Sequence, residues 1–262
     1  MIRFLSGLLS AIFLCAPNVA PCQSAQKAYH WYCAHAKNHV QPTIGTDLAF
    51  VEELDGYFLD RTHCDASAED KVIYLTFDAG YENGNVEKIL DILKEECVTG
   101  AFFILGHLIT KNTDLVKRMA EEGHTVCNHT VSHKNMSAAD DEAFLAELRE
   151  LEEIYREQTG YEMAAYYRPP EGTFSRENLV CAKQNGYKTI FWSFAYPDWD
   201  NARQMSPEKA KQIVLENVHN GEVMLLHPTS STNVSILADV IRELKSQGYR
   251  FGSLDELTGG GG

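Results

Sequence analysis

Short β-rich runs alternate with longer amphipathic patterns along the chain from Val72 onward. Seven runs have the composition of strands, at 72–77, 101–105, 125–128, 164–167, 188–193, 223–226 and 250–252. Six patterns between them have helical period, at 86–96, 114–122, 139–158, 176–184, 207–217 and 234–247. Such alternation is typical of a parallel sheet with right-handed crossovers, either closed or doubly wound. No Gly-x-Gly-x-x-Gly follows the first strand, so the sequence favours an α/β barrel over a dinucleotide-binding sheet.

Residues 1–22 predict a signal peptide. Arg3 precedes the apolar stretch 4–16, which is too short for an ordinary transmembrane helix. Cleavage near Ala20 or Ala25 fits this pattern, but no clean Ala-x-Ala site is present, so an uncleaved anchor is the alternative. Under either interpretation we expect an exported, extracytoplasmic protein.

The rest of the chain divides into three predicted regions. Residues 23–70 lack periodicity and predict an N-terminal extension, which either caps the barrel or lengthens its substrate groove. Residues 71–257 hold the alternating pattern and predict one α/β domain. The final stretch, 258–262, ends in four glycines and predicts a flexible tail.

The acidic composition limits the partners. The formal net charge is -14, and binding to nucleic acid needs clusters of lysine and arginine that this chain lacks. We therefore expect no nucleic-acid partner. No feature indicates a stable protein partner, and a monomer is expected.

Polar side chains with catalytic potential follow five of the predicted strands. In parallel βα folds the chemistry gathers at the carboxyl ends of the strands, so these side chains should meet at one rim. They are Asp78, His129, His133, Arg168, Asp198 and His227. Taken one at a time, several have a structural explanation, such as a core histidine, an ion pair or a helix cap. Their coincidence at one rim favours a functional site.

The two histidines of the third strand end are four residues apart. That spacing places both imidazoles of His129 and His133 on one face if the segment turns helically, as two metal ligands require. Alone, such a pair is more often structural.

In these residues the chain from about 72 to 257 resembles the polysaccharide deacetylases with a NodB-homology domain. Five motifs of that family are present in order: Thr76-Phe77-Asp78, His129-x-x-x-His133, Arg168-x-Pro170-x-Gly172, Asp198-Trp199 and Leu226-His227. The resemblance implies a distorted (β/α) barrel with about seven parallel strands.

A narrower likeness exists to the muramic δ-lactam-forming de-N-acetylases of spore-forming bacteria. It is carried by Gly80-Tyr81-Glu82-Asn83-Gly84, Lys37-Asn38-His39 and the closing segment 248–254. This branch acts on N-acetylmuramic acid, so the likeness implies peptidoglycan glycan strands as the partner and substrate. It also implies cell-wall modification, with a role in sporulation.

The resemblance assigns the catalytic roles. Asp78 is implied as the general base that takes a proton from water, and Arg168 holds that carboxylate by a charge-assisted hydrogen bond. His227 is implied as the general acid, and Asp198 orients its ring and favours the protonated form.

Three further residues are implied to bind the substrate. The backbone N–H of Glu171 is the candidate donor to the tetrahedral oxyanion. Trp199 forms an apolar wall near the acetyl methyl group, and Tyr81 is placed with it at the substrate.

One departure from the family concerns a divalent metal, Zn²⁺ being the first candidate. Metal-dependent members carry a second Asp after the base, but here Ala79 stands at that position and offers no ligand atom. A catalytic zinc site usually has three protein ligands, so His129 and His133 alone should bind metal more weakly. Two hypotheses remain open, a weak metal site on both histidines or a metal-free route in which the imidazoles polarise water or the carbonyl.

Three other functions compete with muramic acid de-N-acetylation. A deacetylase for chitin-type oligosaccharides would use the same five motifs on another sugar. A carbohydrate-binding module on a decayed deacetylase scaffold would explain Ala79, although the base and the acid are both retained. A structural wall protein would explain none of the residues at the strand ends.

Overall fold

The computed structural model describes residues 26–259 except residue 66. Ten strands are present in this part of the chain: β1 Ala28–His30, β2 Gly56–Tyr57, β3 Lys71–Ala79, β4 Ala101–Ile104, β5 Thr125–Asn128, β6 Ala164–Tyr167, β7 Thr173–Ser175, β8 Lys188–Ile190, β9 Glu222–Leu226 and β10 Tyr249–Phe251. The helices are α1 Phe50–Glu53, α2 Val86–Glu95, α3 Gly106–Lys111, α4 Thr113–Glu121, α5 Asp141–Thr159, α6 Arg176–Gln184, α7 Pro207–Asn217, α8 Ser231–Ser246 and α9 Leu254–Leu257. The predicted signal peptide, 1–22, and the last three glycines lie outside the described residues.

The sheet is parallel and strongly curled. Its strands follow the order β10-β3-β4-β5-β6-β8-β2, and β9 also pairs with β3. Isolated bridges join the segment after β8 to β9, through Phe194 and Met224, and the segment after β2 to β9, through Leu59 and Glu222, so the sheet curls back towards β9. The predicted barrel of about seven parallel strands is thereby confirmed, in the form of a curled half-barrel. Within the described residues, no helix combines the length and apolar character needed to cross a membrane.

Strand β3 is buried on both faces, which explains its continuous apolar run. Leu75 and Phe77 belong to the apolar layer shared with α2 and α8. Residues alternate sides along a strand, so Thr76 and Asp78 point the other way, where both contact Arg168. The strand therefore places the Asp78 carboxylate inside the curled sheet at its carboxyl end.

The region before β3 pairs with later strands at two points, one in this sheet and one in a separate two-stranded sheet. β2 pairs in parallel with β8 and adds an eighth strand, and β1 pairs antiparallel with β7. Behind β1, the ring of Trp31 stacks on Phe191 at 4.3 Å and packs against Phe58 at 5.0 Å. These aromatic rings belong to a small apolar cluster that residues between 31 and 59 share with Phe174, Leu179 and Phe191.

Candidate active site

A cavity of about 740 Å³ opens at the carboxyl ends of the strands. Seven of the nine residues named above line it, namely Asp78, Tyr81, His129, His133, Glu171, Trp199 and His227. The other two lie directly behind this lining, Arg168 against Asp78 and Asp198 against His227. The fold thus collects all nine at one rim, Asp78 from within β3 and the other eight from segments that follow five different strands.

Asp78 and Arg168 form a buried ion pair on one side of the cavity. Arg168 Nη1 donates to Asp78 Oδ1 at 2.8 Å, and the guanidinium is fully buried. Its other N–H groups donate to Thr76 Oγ1 at 3.0 Å and to the carbonyls of Ile190 at 2.9 Å and Phe191 at 3.1 Å. The guanidinium group is therefore held by four hydrogen bonds, and its central carbon lies 4.0 Å from the centre of the Phe103 ring.

The charge state of Asp78 follows from this pair. Burial raises the pKa of the carboxyl group, but the opposing influences, led by the positive charge of Arg168, hold it below its ordinary value. Asp78 is consequently an ionised carboxylate at neutral pH, as a general base must be.

His227 and Asp198 form a second pair across the cavity. His227 Nδ1 lies 2.7 Å from Asp198 Oδ1, and the backbone N–H of His227 donates to Asp198 Oδ2 at 2.8 Å. Burial lowers the pKa of the imidazole, but the hydrogen bond and the charge of Asp198 outweigh it and raise the pKa above its usual value. The ring therefore keeps its proton more readily and presents Nε2 to the cavity, as a general acid requires.

A buried asparagine that the sequence analysis missed stands behind this second pair. Asn233 Nδ2 donates to Asp198 Oδ2 at 2.6 Å and to the His227 carbonyl at 3.0 Å, and its Oδ1 accepts from the hydroxyl of Tyr196. From sequence alone Asn233 belongs to the opening of α8, where asparagine is an ordinary capping residue. In the sequence, Asn233 is marked only as a polar residue on the same helical face as the apolar Leu237, four positions later.

The loop after β5 places the two histidines. The rings of His129 and His133 lie 5.0 Å apart between centroids, edge to face. No helical turn brings the two rings together, although their four-residue spacing was expected to do so through a helical turn. Instead Thr130 and His133 take left-handed backbone angles, with φ of 69° and 57°. Strain of this kind persists only where surrounding contacts enforce it, here including the bond from the His133 N–H to Thr130 Oγ1 at 3.0 Å.

His129 is held as a neutral ring. Its Nδ1 lies 2.8 Å from the Arg168 carbonyl, so Nδ1 carries the proton and Nε2 offers a lone pair, 3.6 Å from Asp78 Oδ2. Burial lowers the pKa of this imidazole to about 4. A neutral ring with Nδ1 bonded to a carbonyl is the form in which histidine binds metals.

The donor set nevertheless does not make a three-ligand metal site. Ala79 is fully buried and packs in the apolar layer with Phe77, so it supplies a methyl group where a ligand is required. Within the described residues, no group of three or more His, Cys, Asp or Glu side chains is arranged to hold a metal ion. The imidazoles of His129 and His133 are the candidate metal ligands at this rim.

The outer wall of the cavity is aromatic and exposed. Trp199 is 60% exposed, and its ring lies 6.3 Å from that of His227. Tyr81 stands on the same rim, where its hydroxyl accepts from Asn201 Nδ2 at 2.6 Å. Flat apolar faces beside hydrogen-bonding groups are suited to contact with sugar rings.

The loop that carries Glu171 is braced from the N-terminal region. Glu171 has a left-handed backbone with φ of 56°, in a tight turn that begins at Pro170, which has no N–H, and in which the Gly172 N–H donates to the Pro169 carbonyl at 3.0 Å. The next residue, Gly172, accepts from the Trp31 N–H at 2.8 Å. Trp31 Nε1 donates to the carbonyl of Trp192, which lines the cavity, at 2.9 Å. Trp31 thus fixes two segments of the cavity wall, a link that the aperiodic sequence around it did not reveal.

Comparison with known proteins bears on this geometry. Residues 65–190 match the protein family described as polysaccharide deacetylase. The chain is 36% identical over 257 residues to the peptidoglycan-N-acetylmuramic acid deacetylase PdaA of Bacillus subtilis, covering 97% of this chain and 95% of that protein. It is 32% identical over 193 residues to a peptidoglycan-N-acetylglucosamine deacetylase of Bacillus cereus, covering 72% and 88%.

Solved structures agree with the sequence comparison. The structure of Bacillus subtilis PdaA, described as a family 4 carbohydrate esterase, matches with a TM-score of 0.82 and 38% identity, covering 88% of this chain and 97% of that one. A family 4 pseudoenzyme from Bacillus anthracis matches with a TM-score of 0.66 and 28% identity, covering 72% and 66%. The same fold therefore occurs in a deacetylase and in a pseudoenzyme.

Proposed function

Since this chain belongs to the polysaccharide deacetylase family, we propose that it hydrolyses the acetamide of N-acetylmuramic acid in peptidoglycan glycan strands and releases acetate. The observation that carries the proposal is the pairing of opposite charge states across one cavity. An ionised Asp78 held by Arg168 faces a His227 whose pKa is raised by Asp198. Two titratable groups whose pKa values are shifted in opposite directions in this way are suited to act as base and acid.

The hydrolysis follows from these positions. Asp78 takes a proton from a water molecule as its oxygen attacks the acetamide carbonyl carbon, which gives a tetrahedral oxyanion. The N–H of Glu171 is the proposed donor to that oxyanion. His227 then gives its proton to the amide nitrogen, the carbon–nitrogen bond breaks, and acetate and the free amine result.

The remaining residues bind and orient. Arg168 keeps Asp78 ionised and in place, and Asp198 holds the His227 ring with its Nδ1 proton inward. Trp199 and Tyr81 are proposed to contact the sugar from the rim, since both line the cavity with substantial exposure.

We propose that His129 and His133 bind a divalent metal such as Zn²⁺ only weakly, because Ala79 supplies no third donor. No step above is assigned to a metal.

Muramic acid is the proposed sugar because the similarity to PdaA extends over almost the whole chain. We propose an exported enzyme that acts in the cell wall, with formation of the spore-cortex δ-lactam as its setting. N-Acetylglucosamine, in peptidoglycan or in chitin-type oligosaccharides, is the second candidate, supported by the Bacillus cereus relative.

The test is acetate release from purified peptide-free peptidoglycan strands, with mass spectrometry to locate the deacetylated sugar and chitin oligomers assayed in parallel. Loss of acetyl from muramic acid, absent in Asp78→Asn, is the expected result. Release from glucosamine residues alone would move the assignment to the second candidate. No release from either substrate, with glycan binding retained, would identify a binding module of the pseudoenzyme kind.

A further inference from the structure

The carboxylate of Asp198 is held at both of its oxygens. Oδ1 faces His227 Nδ1, while Oδ2 receives the His227 backbone N–H and the Asn233 amide. The plane of a carboxylate turns about one single bond, so the donors at Oδ2 decide whether Oδ1 stays in line with the imidazole ring. Asn233 contributes the shorter of those two bonds, at 2.6 Å.

We infer that Asn233 is a positioning residue for proton transfer, acting on His227 through the plane of the Asp198 carboxylate. The inference rests on the proposed function, because it takes His227 as the acid. Asn233 itself lies behind the pair, fully buried, and does not line the cavity.

The amide is matched to its surroundings at every hydrogen-bonding group. Its two N–H groups go to acceptors, the Asp198 carboxylate and the His227 carbonyl, and its oxygen receives the Tyr196 hydroxyl. An aspartate here would set a like charge against Asp198, and an apolar side chain would leave Oδ2 with one donor. Tyr196 is also buried, and its hydroxyl fixes which end of the amide faces Asp198.

This side-chain role is separate from the structural role of the same residue. The backbone N–H of Asn233 caps α8 by donating to Ser230 Oγ at 3.1 Å, which a change of side chain does not remove. Asn233→Leu therefore tests the amide and leaves the cap in place.

The experiment measures kcat and KM for acetate release by the unchanged chain, Asn233→Leu, Asp198→Ala and the double variant. Asn185→Leu, at an exposed asparagine that does not line the cavity, is the matched control. Asn233→Leu should lower kcat about tenfold, which is less than the loss expected when a general acid is removed, and should leave KM within about twofold of that of the unchanged chain. In the Asp198→Ala background the same change should alter kcat by less than about twofold, because nothing is left to position.

A proton NMR spectrum provides a readout that does not depend on turnover. The downfield signal of the His227 Nδ1 proton bonded to Asp198 should move or broaden in Asn233→Leu and persist in Asn185→Leu. Unchanged kcat and an unchanged signal, or losses that multiply in the double variant, would overturn the inference. If Asn233→Leu fails to fold, Tyr196→Phe takes its place in the same cycle, with a loss of about threefold expected.

The proposed function can fail on its own. If the unchanged chain releases no acetate from any strand, the NMR comparison still decides whether Asn233 holds the pair.

Discussion

Replacing Arg168 with methionine should lower the free energy of unfolding by about 3–5 kcal/mol, the cost of breaking a buried ion pair from one side. The structure shows why the cost falls at the upper end of ordinary substitutions. Asp78 would remain inside the sheet without its cation, and the carbonyls of Ile190 and Phe191 would lose their donor. Each buried polar group left without a partner costs about 1–3 kcal/mol.

Urea unfolding measures this directly, as a shift of the midpoint at constant slope. The double variant Asp78→Asn with Arg168→Met should be more stable than Arg168→Met alone, because the uncompensated charge is then gone. Arg61→Met is the matched control: Arg61 binds Glu52 at 2.6 Å, but the pair is 52% and 39% exposed, so the loss should stay within about 1 kcal/mol. Equal losses for Arg168→Met and Arg61→Met, or a double variant that loses the full sum, would refute the reasoning.

Three further outcomes are expected. The kcat for acetate release should fall as pH rises through the raised pKa of His227, since the acid then loses its proton. Asp198→Asn should move that fall to lower pH, and a pH profile that does not change in this variant would contradict the proposed effect of Asp198 on His227. Trp31→Ala should lower kcat more than it changes KM and cost about 3–5 kcal/mol in urea unfolding, whereas Tyr32→Ala, at a neighbour that is 73% exposed, should change neither. Calorimetric titration with Zn²⁺ should show weaker binding for His129→Ala than for the unchanged chain, because only one of the two imidazoles then remains; equal affinities would show that the two histidines do not form the metal site.

The periodic part of the fold was predictable because its elements are long or strongly patterned. The seven strands and six helices expected between residues 72 and 252 are all present, with bounds that differ by at most three residues. Strand β3 shows why: apolar residues on both faces leave no alternative to a buried parallel strand.

Two strands that the sequence did not predict are short and depend on distant partners. β1 and β2 are three and two residues long, and each exists because it pairs with a strand more than a hundred residues away. No local period marks such segments, since their hydrogen bonds are tertiary.

Within the site, residue types and strand ends identified seven of the residues that line the cavity. Behind them, Arg168 and Asp198 were identified from their motifs, but Asn233 and Trp31 were not, because they carry no motif and their importance lies in what they contact. The contact between His129 and His133 was expected from a helical spacing, but strained loop backbone produces it instead.

The brace at Trp31 also sets the order in which the molecule can be completed. Its indole N–H reaches a carbonyl 161 residues further along the chain. A ribosome delivers the N-terminus first, so Trp31 emerges long before its partner and must wait for most of the chain to follow. Contacts between residues so far apart in the sequence form slowly, because closing the intervening loop costs conformational entropy before the stabilising contacts are made. The loop of Glu171 is therefore expected to reach its final shape late, and a nascent or truncated chain that ends before residue 192 would hold the base without a finished cavity.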